Sequence, residues 1–255
     1  VHLFYRAQGF DYVSSVGYAT SSDGLTINER FNQPIFLPTQ PFESTSNPGE
    51  LNMAVISAGC GGCEDPRVTK IGDRIYMTYV AFNGHTEPRI ALTSIALQDF
   101  LDHNWLWTHP ILISPPGVVD KSACILPEKI NGKYVIFHRI FPNILIDFVD
   151  DLNFSRGQYL KGQYQIKPRS ALWWDSRKIG AGAPPLKTKD GWLLIYQAID
   201  DKEGYRYKVG AMLLDLHDPT QVLYRTSQPI IEPDEWYEND GFKAGVVYPC
   251  GAVIK

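Results

Sequence analysis

The residues of this 255-residue chain most able to do chemistry are carboxylates and cations spaced like strand ends. Glu64-Asp65-Pro66-Arg67 puts two carboxylates ahead of a proline and an arginine. Proline fixes φ and gives a strand ladder no donor, so the segment belongs where a strand enters a loop-lined mouth. A carboxylic acid partly withdrawn from water there can have its pKa raised enough to serve as a general acid near neutral pH. An Asx-type turn with Asp65 paired to Arg67 accounts for the same residues without chemistry. The stretch from Arg169 to Gly182 adds two cations, Arg169 and Lys178, with Trp173, Trp174 and Asp175 between them. Guanidinium forks match phosphate oxygens bidentately, and tryptophan faces suit the C–H side of a sugar ring. Gly180 and Gly182 would let the backbone approach a ligand closely.

Other chemistries find no support in the spacing. None of the six histidines falls in an HExxH or similar metal pattern, the phosphate-binding GxxxxGK[ST] loop is absent, and no serine sits in a nucleophile elbow. No metal and no cofactor is therefore expected. Cys60-Gly-Gly-Cys63 has metal-like or redox-like spacing, but no second pair and no nearby histidine completes a zinc set, so buried or loop thiols are expected. A net charge of −4 without a basic run argues against nucleic acid and against an anionic membrane surface. No apolar stretch reaches transmembrane length. The few cysteines fit a reducing, cytoplasmic setting; the chain opens in mid-strand, so the lack of a visible signal peptide says little about secretion.

The elements that must position these residues show in a repeat. Lys70–Tyr79, Lys129–His138 and Lys187–Tyr196 each lead from a lysine through a Gly, Asp or Asn turn into an apolar strand. Ile75, Tyr134 and Trp192 are equivalent, which sets periods of 59 and 58 residues. Val1–Tyr5 fits the second half of the unit and Tyr248–Lys255 the first half. In the unit around Lys70 the expected strands are Pro66–Lys70, Ile75–Phe82, Arg89–Ala96 and a stretch near Trp105–Ile113. Gly72-Asp73, Asn131-Gly132 and Asp190-Gly191 supply the hairpin turns. No long 3.6-residue periodicity survives, so the chain reads as all-β. Units of this length, each four short strands, cannot bury their own apolar faces alone and describe a β-propeller. The repeat makes Tyr5-Arg6, Tyr79-Val80, His138-Arg139 and Tyr196-Gln197 equivalent strand ends, which would turn Arg6 and Arg139 toward one cavity with Gln197 across from them. Two segments, from Pro41 to Gly62 and from Ser155 to Ile179, break the period; long connections in compact domains are usually functional or disordered.

Glu64–Val68, His138-Arg139, Arg169 with Trp173-Trp174, Lys178–Gly182, Gly191–Tyr196 and Tyr248–Cys250 together resemble glycoside hydrolase family 130, over nearly the whole chain. The resemblance implies a single catalytic domain over residues 1–255, a five-bladed β-propeller incomplete here, with first and fifth blades partial. It implies inverting phosphorolysis of β-mannosides to α-mannose 1-phosphate, with inorganic phosphate as co-substrate. Asp65 would be the general acid, acting through a hydroxyl of the mannose ring. Arg139, Arg169 and Lys178 would hold phosphate and the reacting sugar, and Arg6 would contact the sugar. Gln197 stands where many members carry a histidine and could still hydrogen-bond phosphate. Glu64, Arg67, Trp173, Trp174 and Asp175 are placed with Arg6 at the sugar. An inverting hydrolase needs a second carboxylate to activate water, and Asp175 is the candidate. A sugar-binding propeller without catalysis is the further alternative. The expected partners are a small oligosaccharide and phosphate, with homo-oligomerisation left open.

Overall fold

The computed structural model describes residues 1–44, 61–154, 157–241 and 243–254. Cys60 and most of the segment from Pro41 to Gly62 lie outside the described residues. The chain divides into two compact units, residues 1–121 with 154–159 and residues 122–153 with 160–255.

The first unit is built on one sheet in the order β1 (His2–Gln8), β2 (Ser14–Thr20), β4 (Gly62–Ile71), β5 (Arg74–Phe82), β6 (Arg89–Ala96) and β7 (Ile111–Leu112), with β3 (Glu29–Arg30) added to β2. β5 and β6 are buried on both faces, hence their near-continuous apolar runs. The β4–β5 hairpin turns at Gly72, whose φ of 61° suits a residue without a Cβ. β2 meets β4 at a single parallel bridge, Ser14 to Gly62, where a Cβ on Gly62 would lie 2.1 Å from the Ser14 carbonyl oxygen. The core gathers Tyr18, Met77, Tyr79, Ile95 and Phe100, with Trp105 and Trp107 packed against it.

The second unit holds two sheets. One runs β8 (Lys121–Ile125), β9 (Tyr134–Ile140), β10 (Asn143–Val149), β11 (Tyr164–Ile166). The other runs β12 (Lys178–Ala181), β14 (Trp192–Ile199), β15 (Lys208–Leu214), β16 (Val222–Arg225), with β13 (Leu186–Lys187) paired to β14. Their shared core includes Phe137, Ile146, Trp174, Trp192, Tyr196 and Met212. Within β10, the buried Asp147 accepts from the His138 ring at 2.9 Å and from the amides of Lys161, Gly162 and Gln163, which fixes the chain's approach to β11.

The chain is all-β with almost no helix, and the repeat is visible in the pairing: β5, β9 and β14 each lie between the preceding strand and the next, and β1 pairs with β2 as β5 does with β6. Details differ from the sequence reading. The strand expected over Pro66–Lys70 runs from Gly62 to Ile71, Lys187 closes the two-residue β13, and Lys129 lies between β8 and β9. The fourth strand expected near Trp105–Ile113 is only Ile111–Leu112, preceded by a one-turn helix α1 (Leu97–Leu101). Trp107 is held there by its indole N–H on the Ile35 carbonyl at 3.1 Å, a tertiary contact invisible to local pattern. A second short helix, α2 (Trp236–Asn239), follows β16. Residues 248–254 form no strand among the described residues, and no closed sheet appears there, so the pairing does not trace the expected five-bladed ring.

Candidate active site

In the first unit the chemistry collects at the start of β4. Glu64 pairs with Val80 and Arg67 with Thr78, so Asp65 and Pro66 together face Tyr79 alone: a β-bulge. Asp65 sits in the left-handed region at φ 50°. Arg6, on β1, reaches both carboxylates, Nη2 donating to Glu64 Oε1 at 3.0 Å and Nη1 lying 3.6 Å from Asp65 Oδ1. Ser14 Oγ accepts from Arg6 Nε at 2.8 Å and steadies the guanidinium. Lys121 Nζ lies 3.8 Å from the other oxygen of Glu64. Glu64 is therefore a buried carboxylate held between two cations, whereas the Asp65 side chain is 22% exposed and open to a ligand. Arg67, expected at the sugar, is instead 1% exposed and turned into the protein.

In the second unit a cationic cluster forms where β9, β12, β14 and β15 come together. Arg139 (β9) and Gln197 (β14) are buried, and Lys178 opens β12. Lys178 Nζ donates to the Tyr207 hydroxyl at 2.6 Å. Burial lowers the Lys178 pKa, and the charges of Arg139 and Lys243 lower it further, against the opposing pull of Tyr207. Burial alone would raise the Tyr207 phenol, but the Lys178 hydrogen bond and the charges of Lys178, Arg139 and Lys243 bring it below the usual tyrosine value. Gln197 Nε2 donates to Ser122 Oγ at 3.1 Å, and Ser122 Oγ is 2.9 Å from the Tyr248 hydroxyl. Gln197 Oε1 is buried with no hydrogen-bond partner among the described residues. Gly180 is needed for a reason other than ligand approach: a Cβ there would lie 2.6 Å from Gln197 Nε2 and 3.2 Å from Arg139 Cδ.

The Arg169–Asp175 segment is placed differently from expectation. Arg169 Nε donates to Asp175 Oδ1 at 2.7 Å, its Nη2 donates to the Thr226 carbonyl at 2.9 Å, and its guanidinium lies over the Trp173 ring at 3.9 Å. Asp175 is fully buried, takes a second arginine, Arg225, at 3.2 Å, and accepts from the Tyr196 hydroxyl at 2.8 Å. Burial and that carboxylate push the Tyr196 phenol well above its usual value. Trp174 is 8% exposed and packs on Tyr196. Arg169, Trp174 and Asp175 thus form an internal lock, which leaves Asp175 no room to activate water. Trp173 keeps 39% of its surface and, with the edge of Trp174 and with Leu172, Asp200 and Lys208, borders an open cavity of about 500 Å³.

Lys121, Tyr207, Lys243 and Ser122 escaped the sequence reading. Tyr207 and Lys243 stand outside the repeat alignment; Lys121 begins a strand whose equivalent, β4, carries the acid pair, and that equivalence was the available signal. Among the described residues no group of three His, Cys, Asp or Glu side chains could hold a metal ion. Among them, too, no helix is long and apolar enough to cross a membrane.

Comparison with known proteins agrees over the whole chain. The profile of glycoside hydrolase family 130, described as beta-1,4-mannooligosaccharide phosphorylase, matches residues 1–255. Two proteins of Thermoanaerobacter sp. (strain X514) are similar: a 1,2-beta-oligomannan phosphorylase, 37% identical over all of this chain and 78% of its own length, and a beta-1,2-mannobiose phosphorylase, 38% identical over 99% and 78%. The solved structure of beta-1,2-mannobiose phosphorylase from Listeria innocua, in complex with beta-1,2-mannobiose, superposes with a TM-score of 0.73 at 31% identity; it covers 95% of this chain, which spans 61% of that one.

Proposed function

The chain belongs to glycoside hydrolase family 130, and on that footing we propose that it is an inverting phosphorylase of β-mannosides that releases α-mannose 1-phosphate. The sheets β4–β7, β8–β11 and β12–β16 are read as blades of a five-bladed propeller. The observation that carries the reading is the Lys178–Tyr207–Arg139 cluster, where burial and then the neighbouring charges of Arg139 and Lys243 work against the positive charge on Lys178. A tetrahedral phosphate dianion relieves that repulsion and fits guanidinium and ammonium donors. Gln197 adds a neutral amide, and a flip of that amide would turn its N–H₂ from Ser122 toward the anion.

In this reaction a phosphate oxygen attacks the anomeric carbon from the face opposite the glycosidic bond. The C1–O bond breaks, its electron pair stays on the leaving oxygen, and that oxygen takes the proton of Asp65, relayed through a mannose hydroxyl. Asp65 leaves as carboxylate, beside Arg6. One acid suffices because phosphate is itself the nucleophile; a hydrolase would need a base for water, and the buried Asp175 does not supply it. Relatives named for β-1,2 linkages match at 33 to 38% identity, so β-1,2-mannobiose is the substrate to try first.

The test is incubation with β-1,2- and β-1,4-mannobiose with and without inorganic phosphate, followed by NMR of the anomeric products. Phosphate-dependent α-mannose 1-phosphate is the expected outcome. Mannose released equally without phosphate would make the protein a hydrolase, and no turnover of either sugar would leave a binding module.

A further inference from the structure

The bulge that carries Asp65 is held by a residue that the reaction itself does not require. An L-residue at φ 50° is crowded between its Cβ and the adjoining carbonyl, so the conformation persists only where surroundings over-determine it. A bulge also takes its residues out of ladder register, and Pro66 brings no N–H to the pairing. Arg67, the next residue in register, folds its side chain back beneath the bulge, and its Nη1 donates to the Asp65 carbonyl oxygen at 2.9 Å. It does so from a position only 1% exposed. Burying a guanidinium is costly, and at this place it grips the backbone of the one carboxylate that faces outward.

We infer that Arg67 is a positioning residue for Asp65: by fixing the Asp65 peptide in the left-handed bulge it sets the direction of the carboxyl group, while touching neither sugar nor phosphate. Arg6 restrains the same residue from the carboxylate end, 3.6 Å away, so backbone and side chain are held by separate guanidinium groups. Lysine is no substitute, since a compact ammonium on a flexible stem lacks the planar fork. The inference rests on the reading of Asp65 as general acid.

That dependence shapes the experiment. Arg67→Ala and Arg67→Lys are assayed on β-mannobiose and on an aryl β-mannoside whose nitrophenolate leaves without protonation, with folding checked by circular dichroism and Tm. Misplacing a reacting group by about 1 Å can cost on the order of 10²-fold in rate, so kcat on mannobiose should fall by roughly that factor in Arg67→Ala. The KM for phosphate should stay within about twofold, the aryl substrate should be turned over nearly as by the parent, and guanidinium chloride at low millimolar concentration should restore part of the loss. In Asp65→Asn the added Arg67 change should cost nothing more. Equal losses on both substrates, or undiminished kcat on mannobiose, would overturn the inference. If Arg67→Ala does not fold, Arg67→Lys must show the same split between substrates, and parental activity there counts against the idea. Parental turnover by Asp65→Asn alone is a different failure: it removes the acid, and with it the proposed function.

Discussion

Gly180→Ala tests the phosphate cluster without altering any charge. The new methyl would lie 2.6 Å from Gln197 Nε2, 3.2 Å from Arg139 Cδ and 3.3 Å from Ser122 Oγ. Ordinary contact begins near 3.4 Å, so the Gln197 amide must retreat by most of an ångström, and Arg139 must yield a little. Gln197 is 1% exposed, and moving its amide by that much disturbs the 3.1 Å hydrogen bond to Ser122. Overpacking of a full core costs about 1–3 kcal/mol, and a lost hydrogen bond about 1 more. A net destabilisation of about 3 kcal/mol lowers Tm by roughly 6–12 °C at this chain length. The functional effect should be similar in size and selective. Losing one well-aimed donor to a charged ligand is worth about 1.5–3 kcal/mol, or roughly 10- to 100-fold in the KM for phosphate. The KM for mannobiose should change little. Gly182→Ala is the control: its methyl would strike the Ile195 carbonyl oxygen at 2.7 Å and Pro249 at 2.8 Å, away from Gln197 and Arg139. It should lower Tm at least as much and leave phosphate affinity alone. Initial rates against phosphate, with Tm by calorimetry, decide the matter. A folded Gly180→Ala protein with parental phosphate KM would refute the placing of phosphate at this cluster.

Asp175→Asn should act on stability rather than on binding, because it leaves Arg169 and Arg225 facing a neutral amide in a fully buried place. Breaking a buried ion pair by removing one partner costs about 3–5 kcal/mol, measurable as a urea-midpoint shift with phosphate KM unchanged in whatever folds. Asp147→Asn keeps one acceptor oxygen but replaces the other by an N–H₂ donor, so either His138 and the Gly162 amide or the amides of Lys161 and Gln163 lose their acceptor, which should cost about 3 kcal/mol at neutral pH. Burial tends to raise the Asp147 pKa, but the His138 hydrogen bond and the Gly162 N–H carry it below the ordinary 3.8. The folded state therefore binds the proton less readily than the unfolded chain, so this stabilisation is complete above about 3.8 and is lost as pH falls toward the lowered value. Urea midpoints from pH 5 to pH 2 should fall less steeply in the variant than in the parent.

The architecture was legible where local chemistry and repeat agreed. The turn at Gly72 and the runs that become β5 and β6 could be read directly, because their backbone needs and apolar periods are local. The repeat also placed Arg6, Val80, Arg139 and Gln197 on equivalent strands. What could not be read was which partner each charge would take. Arg169, Trp173, Trp174 and Asp175 have the composition of a sugar and phosphate wall, yet three of the four close on one another because Arg225 and Thr226 arrive from β16 and its end, some 50 residues later. Arg67 beside Asp65 reads as an ion pair in sequence and is a side chain to backbone clamp in space. Lys178 was expected at an anion, but its tyrosine partner, 29 residues on, had no motif to announce it.

The outermost strand of the second unit bears on how the protein behaves in concentrated solution. Among the described residues β16 has one strand neighbour, β15, and its Val222, Leu223 and Tyr224 are exposed, the tyrosine at 60%. Open edges with apolar side chains invite a further strand from another molecule, and charged residues along the edge are the usual deterrent. Arg225 is the single charge on this strand, and it is turned inward to Asp175 and the Lys167 carbonyl. Neutralising the buried carboxylate has therefore left the edge without its gatekeeper, so precipitation through strand addition at β16 is the form of self-association to watch for in this protein.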